Sequence, residues 1–146
     1  MPRIFRQEIV VPAEAIGELG LVDGVVYLRW MQNLATAHSA AQGWPLERYL
    51  GIGGVWVAAS HSIRYHRPAR LGETVEAVTW IADFGRVRSH RRYAFRRLGR
   101  LLAEAETLWA WIDRRTGHPA LLPEAVRASF EPVPAEEDAD LRRRRP

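Results

Sequence analysis

The chain is predicted to be α+β, one long helix packed on a face of a single antiparallel sheet. Two observations carry this class. Residues 23–42 hold apolar side chains at helical spacing, whereas residues 55–113 alternate with a period of two and are broken only by turn residues. One strand precedes the helix and four follow it without an intervening helix, an order that favours an antiparallel sheet with its helix on one side.

Each element has its own warrant. "RIFRQEIVV" alternates and stops at Pro12, as a first strand does. From Asp23 to Gln42, Leu28, Met31, Ala35 and His38 recur on one helical face, and Gly43 supplies the C-terminal stop. A helix of that length reaches about 28 Å, enough to cross a whole sheet. "WPLERYLGIGG" reads as a connection containing a helical turn. "VWVAASHSIRYHRPA" is a long strand closed by Pro68, and "ETVEAVTWIADF" follows the Leu71-Gly72 turn. "RVRSHRRYAFRR" and "LLAEAETLWAWID" flank Leu98-Gly99-Arg100. A three-residue loop there pairs Phe95 with Ala103, Tyr93 with Ala105 and Arg92 with Glu106, keeping apolar and charged residues on separate faces. "TGHPALLP" is a turn and "PEAVRASF" a short closing helix.

Composition narrows the function classes. A chain of 146 residues with 47% apolar and 26% charged residues is expected to bury one core. The expected division is a domain over residues 1–132 and a disordered charged tail over 133–146, "EEDADLRRRRP" at its end. No apolar run approaches the roughly 20 residues of a membrane span. The start, "MPRIFRQEIVV", is too polar for a signal peptide, so a cytoplasmic protein with no membrane partner is expected. Cysteine is absent, which rules out thiolate metal sites and disulfides. All 21 basic residues are arginines; without the four at 142–145 the remainder is close to neutral, so no nucleic-acid partner is expected. Six tryptophans, Trp80, Trp109 and Trp111 among those on predicted strands, exceed what one helix and one sheet face cover, and sheet edges need blunting or pairing. A homodimer would meet both needs.

The stretches "LGLVDGVVYLRW" and "HSIRYHRPARLGETV" together resemble the hotdog-fold thioesterases of the 4-hydroxybenzoyl-CoA thioesterase type, over roughly residues 5–130. The resemblance implies a sheet wrapped around one long helix, a dimer or tetramer, an active site between subunits, and a coenzyme A thioester as substrate. The loop of that family reads Asp-x-x-Gly-His-Val-Asn-Asn. Laid on this chain without a gap, its acid falls on Gly17, its glycine on Gly20 and its histidine on Leu21. Its valine falls on Val22 and the asparagine pair on Asp23 and Gly24. The scaffold residues match and the polar ones do not.

Thioester hydrolysis needs a donor for the developing oxyanion and a carboxylate to attack or to activate water. In the resembled enzymes a backbone N–H near the position of Gly24 polarises the carbonyl, and the free N–H groups around Gly24, Val25 and Val26 suit that role. Asp23 is the carboxylate at this end, readable as an N-cap or as a displaced catalytic acid. Tyr27 and Trp30 either pack against the sheet or wall an acyl pocket. Ser60 and His61, on opposite faces of one strand, are candidate substrate contacts; His61 is expected to share its face with Val57, Ala59, Ile63 and Tyr65. Arg86, Arg88 and Arg91 have no evident acidic partner and are candidates for coenzyme A phosphates. No metal-ligand spacing occurs, and no cofactor is expected. Two functions remain: hydrolysis of acyl-coenzyme A, or binding of an acyl or aromatic ligand without hydrolysis.

Overall fold

The computed structural model describes residues 3–144. Strand β1 (Ile4–Val10) leads through a short 3₁₀ turn to α1 (Gly24–Ala41) and α2 (Leu46–Gly51). Strands β2 (Gly54–Tyr65), β3 (Thr74–Phe84), β4 (Arg88–Arg97) and β5 (Arg100–Asp113) follow, then α3 (Glu124–Arg127) and α4 (Ala135–Leu141). One five-stranded sheet has the order β1-β3-β4-β5-β2, every described pairing antiparallel. Its neighbours pair Phe95 with Ala103, Tyr93 with Ala105 and Arg92 with Glu106, the register that separates apolar from charged faces. The expected three-residue loop is instead the two-residue Leu98-Gly99, with Arg97 opposite Arg100 and Arg96 opposite Leu101; a bulge that leaves Leu102 as the extra residue restores the register. This is the hotdog arrangement, a sheet around one long helix.

Helix α1 forms where its signals predict. Asp23 caps its start, accepting from the Val25 N–H at 3.2 Å. At the other end Gly43 takes φ of +92°, and Gly43 N–H and Trp44 N–H donate to the carbonyls of Ala40 and Ser39 at 3.0 and 2.9 Å. That double bond is a Schellman closure, which glycine accommodates without a Cβ penalty. Between the caps Tyr27, Met31, Leu34 and Ala35 bury against Val75, Ala77, Tyr93, Phe95 and Ala105 on the inner face of the sheet. A second apolar cluster extends the same face: Trp44, Tyr49, Ile81, Trp111, Leu122, Val126 and Phe130.

Two further expectations need correcting. The described part of the tail is folded, not disordered. Val133 and Leu141 of the α4 segment cover Val78, Trp80 and Ala94 on the outer sheet face, and Asp138 is buried. Asp138 pairs with Arg92 of β4 and Glu137 with Arg3 just before β1, contacts that composition alone did not reveal. The tail covers Trp80, while Trp30, Trp44 and Trp111 lie in the inner-face clusters, so four tryptophans are buried within one chain and only Trp56 and Trp109 stay half-buried. The tryptophan count is therefore no reason for a dimer, although the unpaired edge of β2 still is.

The second correction concerns β2. The pairing with β5 slips between Ala58 and Ser60, leaving Ala59 as an extra, bulged residue. The bulge reverses the alternation, so Trp56 and Ala58 precede His61 on the inner face, while Val57 turns to the outer one.

Candidate functional site

Three groups of residues around the helix and sheet carry polar chemistry. The first is the start of α1. The preceding loop is pinned: Gly17 N–H donates to Leu21 O at 2.9 Å, Val22 N–H to Ala69 O at 2.9 Å, and Asp23 N–H to Ala15 O at 2.9 Å. Asp23 caps with Oδ1 alone, and its Oδ2 accepts no hydrogen bond among the described residues. Capping and a second role for this carboxylate are thus compatible. Gly24 N–H has no hydrogen-bond partner among the described residues, as expected of an orphan donor in the first helical turn. The Gly24 carbonyl accepts from the Tyr65 hydroxyl at 2.8 Å. A Cβ on residue 24 would stand 3.0 Å from that hydroxyl oxygen, so glycine here makes room for Tyr65 rather than for a ligand.

Tyr65 was not singled out from the sequence as a site residue. It is 54% exposed, and partial burial together with the Asp23 carboxylate raises its hydroxyl above the ordinary tyrosine range. Tyr27 lies one turn along α1, its ring edge-on to Trp30, Phe95 and Tyr65 with centroids 5.1, 5.2 and 5.5 Å away. Burial first, then the neighbouring Tyr65 and Glu73, pushes its hydroxyl up to about 12. Tyr27 is packed into the core, whereas Val25, 70% exposed, faces outward from the first turn.

The second group lies on β2. His61 is half-buried on the inner face, with Nδ1 at 2.8 Å from Thr107 Oγ1 and its ring edge-on to Trp109. Burial lowers its pKa, which favours neutral imidazole near pH 7. Ser60 is exposed on the other face, so the structure does not bring these two together.

The third group surrounds a cavity of about 200 Å³ at the far half of α1. Trp44, Tyr49, Trp56, Phe84, Trp109 and Phe130 supply aromatic walls, and Leu46, 58% exposed, stands at its rim. Arg91 reaches it from β4 and is only 5% exposed. Its Nη1 donates to His38 Nδ1 at 2.9 Å and to Thr79 Oγ1 at 3.1 Å. A guanidinium only donates, so Nδ1 of His38 is the acceptor and the ring's proton sits on Nε2. Arg91 therefore parts from Arg86 and Arg88, with which the sequence groups it. The register sets Arg88 opposite Ala110 and Arg91 opposite Thr107, three residues apart and hence on opposite faces. Arg86 and Arg88 are exposed at the β3–β4 turn, with no ion-pair partner among the described residues. The aromatic density of "GWPLERYLGIGGVWV" was the available signal for this cavity. No group of three or more potential metal ligands occurs among the described residues.

Comparison with known proteins bears on the fold and on the family. The chain is 29% identical over 94% of its length to a chloroplastic acyl-[acyl-carrier-protein] hydrolase of Cuphea viscosissima. It is also 29% identical over 88% of its length to a chloroplastic palmitoyl-acyl carrier protein thioesterase of Cuphea hookeriana. It spans only 36% and 33% of those two relatives. Among solved structures it superposes with a TM-score of 0.79 on a 1,4-dihydroxy-2-naphthoyl-CoA thioesterase from Synechocystis (19% identity, 87% of this chain and 95% of the other). A Staphylococcus aureus protein solved in complex with CoA gives 0.83 (15% identity, 98% and 96%). At those identities the likeness carries the fold alone. The profile of the thioesterase-like superfamily matches residues 11–130, most of the chain, and the protein belongs to that superfamily.

Proposed function

We propose that the protein hydrolyses coenzyme A thioesters, with the carbonyl held at the start of α1. The observation that carries this reading is the juxtaposition of an unpartnered Gly24 N–H with an Asp23 carboxylate whose Oδ2 is unengaged. The N–H and the positive end of the helix would stabilise the oxyanion, and Asp23 would activate water or attack the thioester carbon. Water adds to the carbonyl, the carbon–sulfur bond breaks, and the products are the free acid and coenzyme A. Val25, outward on the first turn, would flank the thioester, while Tyr65 fixes the Gly24 carbonyl. Asparagine caps a helix about as well as aspartate. Asp23→Asn should therefore leave the melting temperature nearly unchanged and cut thiol release from acyl-coenzyme A by about 10²-fold or more. Full activity in this variant would remove Asp23 from the mechanism.

The working unit is a homodimer in this reading, formed along the free edge of β2. That edge is 12 residues long, carries an exposed Val57 and has no proline to blunt it. Two-fold antiparallel pairing would set Tyr65 and Gly24 of one copy beside Val55 and Trp56 at the cavity of the other. Arg86 and Arg88, beside the cavity-lining Phe84 and Ser89, would meet the coenzyme A phosphates. Ser60 and His61 sit near the midpoint of β2, within reach of substrate in the cleft. Light scattering at micromolar concentration should give at least twice the mass of 16.7 kDa; a monomer would leave the site incomplete. The assembly is proposed to act in the cytoplasm, without a cofactor.

A second reading, ligand binding without hydrolysis, is favoured by Gly17 and Leu21, which offer no acid or imidazole. Binding of acyl-coenzyme A with no thiol release would select it. Carrier-protein thioesters, assayed in parallel, would distinguish the two carriers.

A further inference from the structure

We infer that the aromatic cavity takes the acyl group, and that this group bears a carboxylate at its far end, held by Arg91. The inference deepens the thioesterase reading and rests on it for the thioester half of the ligand.

Arg91 is the reason. Its guanidinium is almost fully buried, yet no carboxylate lies within ion-pair distance of it among the described residues. Both of its hydrogen bonds are made by Nη1, and both go to neutral acceptors. Nε and Nη2 have no protein partner among the described residues. These two nitrogens form the edge of the fork that matches a carboxylate with two parallel bonds. A buried cation without a counter-charge is costly, and the other polar residues that line the cavity, Thr36, Ser39 and Ser89, are neutral. Burial lowers the guanidinium pKa, and the nearby Tyr49 and Tyr93 hydroxyls only partly offset that. An anionic ligand would supply the missing charge.

Size and distance limit the rest of the ligand. An apolar cavity of about 150 Å³ accommodates benzene, so about 200 Å³ holds one substituted ring or a short chain, not a long fatty acyl tail. His38, which holds Arg91, lies 14 residues beyond Gly24 on α1, about 21 Å at the helical rise. So compact a group cannot span that distance. Its thioester end would meet the helix start of the second copy, which β2 pairing brings beside Trp56. The proposed substrates are monothioesters of compact aromatic or short aliphatic diacids.

Benzoate and benzamide test the Arg91 end directly, since they share one shape and differ in charge. Titrated against the full chain by calorimetry, with tryptophan quenching as a second readout, benzoate should bind at least about tenfold tighter than benzamide. Arg91→Met, checked for folding by its melting curve, should erase that ratio. Arg91→Lys, which keeps the charge without the fork, should retain part of it. Equal binding of the two ligands by the unaltered protein would overturn the proposal, as would a benzoate preference that survives in Arg91→Met. If Arg91→Met does not fold, the ratio in the unaltered protein and in Arg91→Lys decides. Hydrolysis of 4-carboxybenzoyl-coenzyme A against benzoyl-coenzyme A separates the two claims. Thiol release without preference for the carboxylated ester leaves the hydrolase reading and removes this one. Tight benzoate binding with no thiol release does the reverse.

Discussion

Gly17→Asp should raise hydrolysis of coenzyme A thioesters by about 10²-fold or more, because it returns a carboxylate to the loop that faces the helix start. The backbone permits the change. Gly17 is not among the residues with positive φ, and a Cβ there would meet Asp23 Cβ and Oδ2 at 3.7 Å and Leu21 O at 3.8 Å, ordinary contact distances. The new carboxylate would lie beside Asp23, and two neighbouring carboxylates cannot both ionise at the usual pH. One of the pair would keep its proton to higher pH, so the gain should come with a rate profile whose acid limb moves upward. Gly17→Asn has the same size without the charge and should give no gain. A gain from both variants would point to loop rigidity rather than acid chemistry. A gain from neither would mean that the loop geometry cannot use a carboxylate at position 17.

Most of the architecture was legible because it rests on periodicity and punctuation. The switch from helical spacing to alternation after Gly54 marked the helix, and the segregation of charge gave the β4–β5 register, which a bulge beside the Leu98-Gly99 turn makes possible. What periodicity cannot carry is an inserted residue. Ala59 is chemically unremarked in "VAASHS", yet it alone turns Val57 away from the face of His61. Nor can composition tell a solvated charge run from one with partners on a sheet. The acids of α4 read as a disordered tail because Arg92 and Arg3, the partners of Asp138 and Glu137, lie more than 40 residues away.

The candidate site was legible where it depends on the backbone and obscure where it depends on tertiary approach. Asp23 and Gly24 follow from a loop that meets a helix, since any helix start exposes N–H groups. Tyr65, by contrast, reaches Gly24 from a residue 41 positions later, and only the fold brings that hydroxyl there. Arg91 is the instructive failure. In "GRVRSHRRYAFRR" it is one of several similar arginines, and its burial follows solely from strand parity against Thr107. A cation on the inner face breaks the pattern that the rest of the sheet obeys, and such breaks are where function is to be sought.

Asp138→Ala should destabilise the protein by about 1–3 kcal/mol, the usual cost of leaving a buried donor without its acceptor. The carboxylate side chain is 4% exposed and serves three donors at once. Its Oδ1 accepts from Trp80 Nε1 at 2.6 Å, and its Oδ2 pairs with Arg92 and with Arg142, the latter at 2.8 Å. Arg92 retains Glu106 at 3.0 Å, but Trp80, fully buried, would lose its only described acceptor. The loss has a ceiling, because α4 can undock instead of the whole sheet unfolding. In that case Trp80 and Val78 meet water, and tryptophan emission should shift to the red while residues 134–141 become open to protease. Urea denaturation measures the first outcome, and emission with limited proteolysis measures the second. Asp138→Asn keeps an acceptor for Trp80 while removing the charge, and should fall between the parent and Asp138→Ala. A change below about 1 kcal/mol in Asp138→Ala, with emission unmoved, would mean that apolar burial by Val133 and Leu141 holds the segment without the carboxylate.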